Sequence, residues 1–509
     1  MPFINLNETD VLINSEVYDI TIIGAGAAGI LLAVELTKKG KKVLLIETGH
    51  FNIDEEKQKL NEVVNTGKIL ENAVWGRKRA IGGTTLAWGG QSLPFSTMDF
   101  SKRDWVKNSG WPIPYKEISK YYNQANAFMK IDTLNYKEDI FKNIKLADPG
   151  IDASLFEYHI SKWASEPNFQ ILYKKFLDDK VTIIYNAHLY KIHKNEESRI
   201  TAIALYNFKE KLFTININTL IIAAGGIESV RILLDNQIGN HSGWLGKCFM
   251  DHPCIEVGEV ITKDSYRLQK YFNTHVWQKR KYSVRLSLGK KQQQQKELLN
   301  CSASILFDPP EDKFNPYAEF ISFRKDFKIR RLFKLSGSIS SITKSLWVLF
   351  KDRFYYKVNA VNKLFLMIEQ EPVEESFISL SEDLDKFGTP KARINWNITY
   401  KTWETVLAIS KLLKQEIERL KFGTVDIYSV INDENKNWAD CLSDVNHHMG
   451  ASRMSSSAEK GVVNENLQVW GISNLYVCSS SVFPTSSHSN PTLTLLALGV
   501  RLSNFLSRK

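Results

Sequence analysis

Residues 18 to 49, YDITIIGAGAAGILLAVELTKKGKKVLLIETG, constrain the fold more than any other stretch of this chain. Ile20, Ile22 and Ile23 form a short apolar strand, and Gly24, Gly26 and Gly29 follow it in G-x-G-x-x-G spacing. Leu31, Leu32, Val34 and Leu36 then mark a buried helix that closes at Gly40, and KVLLIE supplies a second strand ending in Glu47. The glycines permit a tight turn and close approach of a pyrophosphate, the helix N-terminus stabilises its charge, and the acid accepts from ribose hydroxyls. A glycine triplet alone fits any strand–turn–helix junction. With strand, helix and acid in register, it predicts a dinucleotide site that suits NAD and FAD alike.

The chain has 509 residues, too many for one ordinary core, so two or three domains are expected. No Lys or Arg precedes Lys38, which argues against a secretory n-region or twin-arginine signal, and no 18-residue apolar run suggests a membrane span. The five cysteines, Cys248, Cys254, Cys301, Cys441 and Cys478, are scattered without any C-x-x-C. That pattern speaks against a disulfide framework, a zinc site, covalent haem or an iron–sulfur cluster, and no metal is expected. A cytoplasmic setting fits, with no nucleic-acid partner. Of the net charge of +10, much lies in residues 321 to 360, where ten Lys/Arg face two Asp/Glu among Phe323, Phe327, Leu332, Phe333, Trp347, Leu349 and Phe350. That composition suits a basic amphipathic segment on anionic lipid, a lid, or a solvated face with snorkelling stems.

Further pieces of a nucleotide domain follow. RKRAIGGTTLAWGGQSLPF (77 to 95) is a glycine-rich loop whose backbone can run flat against a planar ligand. VTIIYNAHLYKI (181 to 192) alternates like a strand, and TLIIAAGGIESVRILL (219 to 234) reads as strand, turn and helix. KQQQQK (291 to 296) reads as a solvent loop. Near the C-terminus, SNPTLTLLALGVRLSNFL (489 to 506) places Asn490 as the N-cap and Pro491 at the first helical position of a buried helix, whose positive end could stabilise an anion. In NHHMGASRM (446 to 454), His447 and His448 point to opposite faces if extended, so at most one addresses a given pocket.

IIGAGAAG, IGGTTLAWGG, SGWPIPYKEISKYYNQA (109 to 125), AAGGIESVRILL, LGKCFMDHP (245 to 253), EQEPVEESFISLS (369 to 381), HHMGASRM and NLYVCSSSVFPTSSHSNPTLT (474 to 494) recur in order. Together they resemble the glucose–methanol–choline (GMC) oxidoreductases over most of the chain outside about 260 to 360. Around SVFPT and NPTLT they are most similar to bacterial sugar-type members and pyranose oxidase. The resemblance implies an α/β fold with a Rossmann-like, discontinuous FAD-binding domain (1–95, 181–255 and 440–509). It also implies a substrate domain on an antiparallel sheet (96–180 and 256–439).

The same resemblance selects His447 as the catalytic base and Asn490, just before PTLT, as its partner, with His488 a structural or rim histidine. The expected FAD contacts start with Gly24, Gly26, Ala27, Ala28 and Gly29, and Glu47 with Thr48. The second loop adds Arg79, Gly82, Gly83, Thr84, Trp88, Gly89 and Gly90. Leu189, Ala224, Gly225 and Glu228 follow, and Ser479, Ser480, Pro491 and Thr492 close the set. Two residues depart from the family pattern. Ala87 stands where pyranose oxidase links a histidine to FAD, implying noncovalent cofactor, and Ser479 and Ser480 stand where many members carry an acid. The implied reaction is oxidation of an alcohol or sugar hydroxyl to a carbonyl, with a near-neutral imidazole of pKa about 6.5 as base. Electrons would leave to oxygen, a quinone or a redox protein, a dehydrogenase being favoured. A redox-neutral lyase on the same fold, and a flavin-binding partner without turnover, are the competing classes.

Overall fold

The computed structural model describes residues 3–9, 18–136, 138–309 and 339–509. Its first layer is a six-stranded sheet in the order Phe3–Asn5, Thr182–Tyr185, Val43–Ile46, Ile20–Ile23, Leu220–Ile222, Leu475–Val477, every pair parallel. The central strands are apolar except for Thr21, and each residue in them is buried, as a parallel sheet covered on both faces requires. The helix Ala27–Lys38 crosses from Ile20–Ile23 to Val43–Ile46, and the C-terminal helix Thr492–Leu506 packs against it. Gly499 permits that approach, since a Cβ there would lie 2.8 Å from Leu31 Cδ2.

The second layer is an eight-stranded antiparallel sheet. Its main path runs Thr424–Ile427, Cys254–Ile261, Val361–Ile368, Cys301–Asp308, Arg280–Leu288, Phe156–Trp163, Gln91–Ser92, with Thr274–Trp277 paired to Arg280–Leu288. Alternation gives it two different faces. Val284, Leu286, Ala303, Ile305 and Leu364 meet Leu413 and Ile417 of the helix Tyr400–Arg419. Ser283, Arg285, Ser287, Ser302 and Ser304 alternate with them and point the other way, toward the segment that carries Asn490, where Ser287 Oγ bonds His488 Nε2 at 2.8 Å. A smaller sheet, Phe377–Leu384, Pro390–Asn395 and Val63–Asn65, joins the N-terminal quarter to residues 377–395.

Local expectations needed revision at three places. The stretch 181–192 is two strands rather than one, because Asn186 adopts φ 55° and its amide donates to Asn5 Oδ1 at 2.7 Å, turning the chain between Thr182–Tyr185 and His188–Lys194. The glutamine tract is the helix Lys290–Lys296 instead of a solvent loop. Gln293 is buried, and its amide donates to Leu288 O (2.9 Å) and Asn300 Oδ1 (3.1 Å). Asn490 does not cap the last helix: Pro491 holds the N-cap position without a side-chain bond, and the Asn490 amide turns to His447. Of the basic segment, Ile339–Asp352 is a helix, whereas 321–338 lie outside the described residues. Among the described residues, no helix is long and apolar enough to cross a membrane.

Candidate functional site

A cavity of about 550 Å³ opens at the C-terminal ends of the parallel strands, where the chain leaves Ile20–Ile23 in one direction and Leu220–Ile222 in the other. This is the crevice in which open α/β sheets bind ligands. Gly24 has φ +101°, and a Cβ there would lie 2.7 Å from Ala223 O. Nothing lies within 4 Å of a Cβ built on Gly26, so the backbone at the helix N-terminus is bare to the cavity. Ala27, Ala28, Glu47 and Thr48 complete this wall. Glu47 Oε2 and Oε1 accept from the amides of Ala25 and Gly49, both at 2.8 Å, so the acid also fixes the glycine turn. Burial raises its pKa against those two bonds.

Gly83, Thr84, Trp88, Leu189, Ala224 and Gly225 line the cavity as well. Arg79 and Glu228 do too, yet their charges meet each other at 3.0 Å, and Arg231 chelates Glu228 at 2.7 and 3.0 Å. Burial alone would raise the Glu228 carboxyl, but Arg231 and Arg79 hold it below the ordinary carboxylate range. Ser479, Ser480, Pro491 and Thr492 lie on the opposite wall. The hydroxyls of Ser479 and Ser480 are engaged within the protein, with Ser481 and with the carbonyl of His448. Four glycines of the expected set are not on the cavity surface. Gly29 lets helix meet turn (a Cβ would sit 1.9 Å from Gly24 O), Gly82 adopts φ +100° beside Leu86, and Gly89 and Gly90 pass Trp163 and Ala164.

His447 and Asn490 come together across the cavity, Asn490 Nδ2 lying 3.2 Å from His447 Nε2. A third residue orders the pair: His252 Nδ1 lies 2.9 Å from His447 Nδ1, and His252 Nε2 lies 3.1 Å from Ser486 O. A carbonyl only accepts, so His252 Nε2 carries the hydrogen. Burial pushes His252 down to about 4, so its ring is neutral at pH 7 and its Nδ1 is bare. His447 Nδ1 must then donate, which leaves His447 Nε2 as the free lone pair facing Asn490. Burial, followed by the neighbouring His252, His448 and Arg285, holds His447 well below its ordinary value, so the unperturbed pKa expected from sequence is not what the fold provides. Asp251 Oδ1 accepts from the backbone N–H of His252 (2.6 Å) and of His447 (3.0 Å), tying both imidazoles to one carboxyl group.

Sequence reasoning passed over His252 and Asp251. Their signal was LGKCFMDHP, a stretch recognised without assigning its acid and histidine a task. It also passed over Arg77, His188 and Asn446 on the cavity wall. Asn446 Oδ1 and His188 Nδ1 are buried without hydrogen-bond partners in the protein, and His188 Nε2 has only Asp385 Oδ2 at 3.9 Å, so the walls present polar atoms that a ligand can satisfy. Bare backbone at Gly26, a helix N-terminus, an acid beyond the second strand and unpaired polar atoms together fit a dinucleotide bearing a polar ring system.

Fold and site thus define a dinucleotide-binding α/β protein with an antiparallel sheet closing over the crevice. A family model described as GMC oxidoreductase matches residues 372–499, and one described as NAD(P)-binding Rossmann-like domain matches 22–52. The fructose dehydrogenase large subunit of Gluconobacter japonicus is 21% identical over 573 residues, covering 96% of this chain and 97% of that protein. The 2-methyl-1,2-propanediol dehydrogenase of Mycolicibacterium austroafricanum is 31% identical over 151 residues, which is 29% of this chain but only 25% of that protein. Among solved structures, the formate oxidase of Aspergillus oryzae RIB40, in a study of FAD modification, shares the fold at TM-score 0.54 and 15% identity, over 96% of this chain and 98% of that one. The chain is thus similar to GMC oxidoreductases, whose model it matches over 372–499, and its cofactor is FAD.

Proposed function

We propose that the chain oxidises a hydroxyl of a small alcohol, on a sugar or glycoconjugate, to a carbonyl. The observation that carries this reading is the bare Nε2 of His447, held by His252 on one side and facing the Asn490 amide at 3.2 Å on the other. A substrate hydroxyl placed between them donates its proton to Nε2 and accepts from the Asn490 N–H, so one oxygen is both deprotonated and positioned. When bound, FAD would supply the hydride acceptor. A neutral amide at Asn490 adds no charge that would oppose proton transfer to His447. Gly26 and the start of helix Ala27–Lys38 would hold the pyrophosphate, while the segment before Thr492 would face the ring system. What supports a sugar is the near full-length likeness to a fructose dehydrogenase subunit.

We take the cofactor to be noncovalent, because Ala87 on the cavity wall offers no nucleophile; acid precipitation should release all the flavin. The acceptor is oxygen, a quinone or a redox protein, and we favour a dehydrogenase. Anaerobic titration with alcohols and sugars tests the reaction: absorbance at about 450 nm bleaches if the reading holds. An FAD-loaded enzyme that is never bleached, yet converts a substrate without redox change, would be the lyase.

The helix Ile339–Asp352 supports one further reading, that the enzyme sits on the cytoplasmic face of an anionic membrane. Trp347 and Phe350 are 55% and 81% exposed, with Lys351 Nζ over the Trp347 ring at 4.4 Å. The helix rests on the protein through Val348, which packs with Phe354 and Tyr356.

A further inference from the structure

We propose that the substrate carries an anionic group, a carboxylate or a phosphate, which the guanidinium of Arg285 holds on the polar face of the antiparallel sheet while a hydroxyl reaches His447. The proposal rests on the oxidoreductase reading above and names the substrate class of that same site.

Arg285 alternates with the buried Val284 and Leu286 along Arg280–Leu288, and its side chain reaches Gln91 on the sheet's other face. Its guanidinium donates to Ser304 Oγ at 3.1 Å and, weakly, to Gln91 Oε1 at 3.3 Å, both neutral acceptors. Arg103 forks onto Glu369 and Arg231 onto Glu228, whereas Arg77 and Arg453, like Arg285, meet uncharged acceptors, in their case backbone carbonyls. No carboxylate lies within ion-pair distance of Arg285 among the described residues. Burial pushes its guanidinium down to about 10 with no compensating charge. A desolvated cation with two weak neutral partners gains most from a planar or tetrahedral anion that accepts from both of its arms.

Its surroundings decide which anion. The pyrophosphate place belongs to the parallel sheet, at Gly24 and Gly26. Arg285 belongs to the other sheet, between two segments that reach the reaction centre. Gln91 follows Trp88 by three residues, and its amide donates to Ser161 Oγ at 2.7 Å. Ser287, two residues along the strand on the same face, is bonded to His488, two residues before Asn490. Arg285 is half-buried on this face, and its charge is one of the causes, after burial and the two neighbouring imidazoles, that lower His447. Serines at 283, 287, 302 and 304 give the rest of this face hydroxyls suited to a polar substrate body.

The test uses FAD-loaded enzyme and matched ligand pairs: hydroxy or sugar acids against their amides, and phosphorylated sugars against the parent sugars, followed anaerobically by flavin bleaching. The anionic member of one series should bind about tenfold tighter or more, and Arg285→Gln should erase that preference while Arg285→Lys keeps part of it. Whether the carboxylate or the phosphate series shows the preference identifies the group. Equal binding within both series, or a preference that survives Arg285→Gln, overturns the proposal. FAD content of each variant controls for folding. A second readout uses the same anions without an oxidisable hydroxyl, titrated against the flavin spectrum. Saturable binding that Arg285→Gln abolishes, in an enzyme no alcohol bleaches, would keep the anion site and reject the oxidoreductase; bleaching by uncharged alcohols alone would do the reverse.

Discussion

The Nδ1 atoms of His252 and His447, 195 residues apart in sequence, lie 2.9 Å from each other with their rings nearly perpendicular at 86°. Two nitrogens at this distance can be bonded only if one carries a hydrogen and the other does not. Ser486 O decides which, and so determines that the lone pair of His447 Nε2 faces the cavity. His252→Leu removes the acceptor and lets His447 populate the wrong tautomer. The limiting rate of flavin reduction should fall about 10- to 100-fold at unchanged FAD content. His252→Asn, whose amide oxygen can still accept, should recover part of it; equal loss in both would reduce His252 to packing.

Removing the base itself has a larger expected effect. His447→Ala should lower flavin reduction by about 10²- to 10⁴-fold, and Asn490→Ala by less, since it positions the oxygen without taking the proton. Because both groups act on one oxygen, the double variant should be no slower than the product of the two, and closer to His447→Ala alone. Full multiplicative loss would separate their roles.

The depressed proton affinity of His447 carries a pH signature. The base form is already complete at pH 6.5, so flavin reduction should not titrate away between pH 7 and 6 as an ordinary imidazole would require. An acid limb centred near 6.5 in single-turnover measurements, belonging to His447, would contradict the geometry.

Stability should follow the same groups. His252 and His275 are pushed down to about 4, and His448 to about 3, chiefly by burial. A folded pKa below the unfolded value of about 6.5 means that the unfolded chain binds more protons between the two. The contribution is therefore intact above pH 6.5 and is lost as pH falls toward 4, by at most about 3 kcal/mol for His252 alone. Asp251, raised to about 8 by burial and then Asp444, acts in the opposite sense, its contribution being lost as pH rises through 8. Denaturant midpoints should drop steeply between pH 6.5 and 4, and His275→Gln, remote from the cavity, should flatten part of that drop.

Two variants separate the cofactor site from the membrane reading. Gly24→Ala forces a left-handed φ on alanine and drives its Cβ into Ala223 O, so the protein should purify without flavin colour. Trp347→Ser with Phe350→Ser should leave the flavin spectrum unchanged but abolish co-sedimentation with anionic vesicles at low salt. If the wild type does not sediment with them, the peripheral assignment fails.

What was legible in the sequence was local. The Gly24, Gly26, Gly29 spacing, the apolar strands on either side of it and the acid at Glu47 each express a short-range backbone or burial preference, and the structure builds the crevice from them. The choice of His447 came from the resemblance rather than from spacing, since adjacent histidines are alike to any local rule. Tertiary structure alone decided the rest. Pro491 took the N-cap position, and the Asn490 amide donates instead to His447 Nε2, which the fold brings beside it. Asp251 and His252 acquired their roles from contacts across nearly two hundred residues, Arg285 was left without a counter-charge, and burial moved the imidazole pKa values. Hydrogen-bond partners and desolvation depend on which distant segments pack together, and no window of neighbouring residues contains that information.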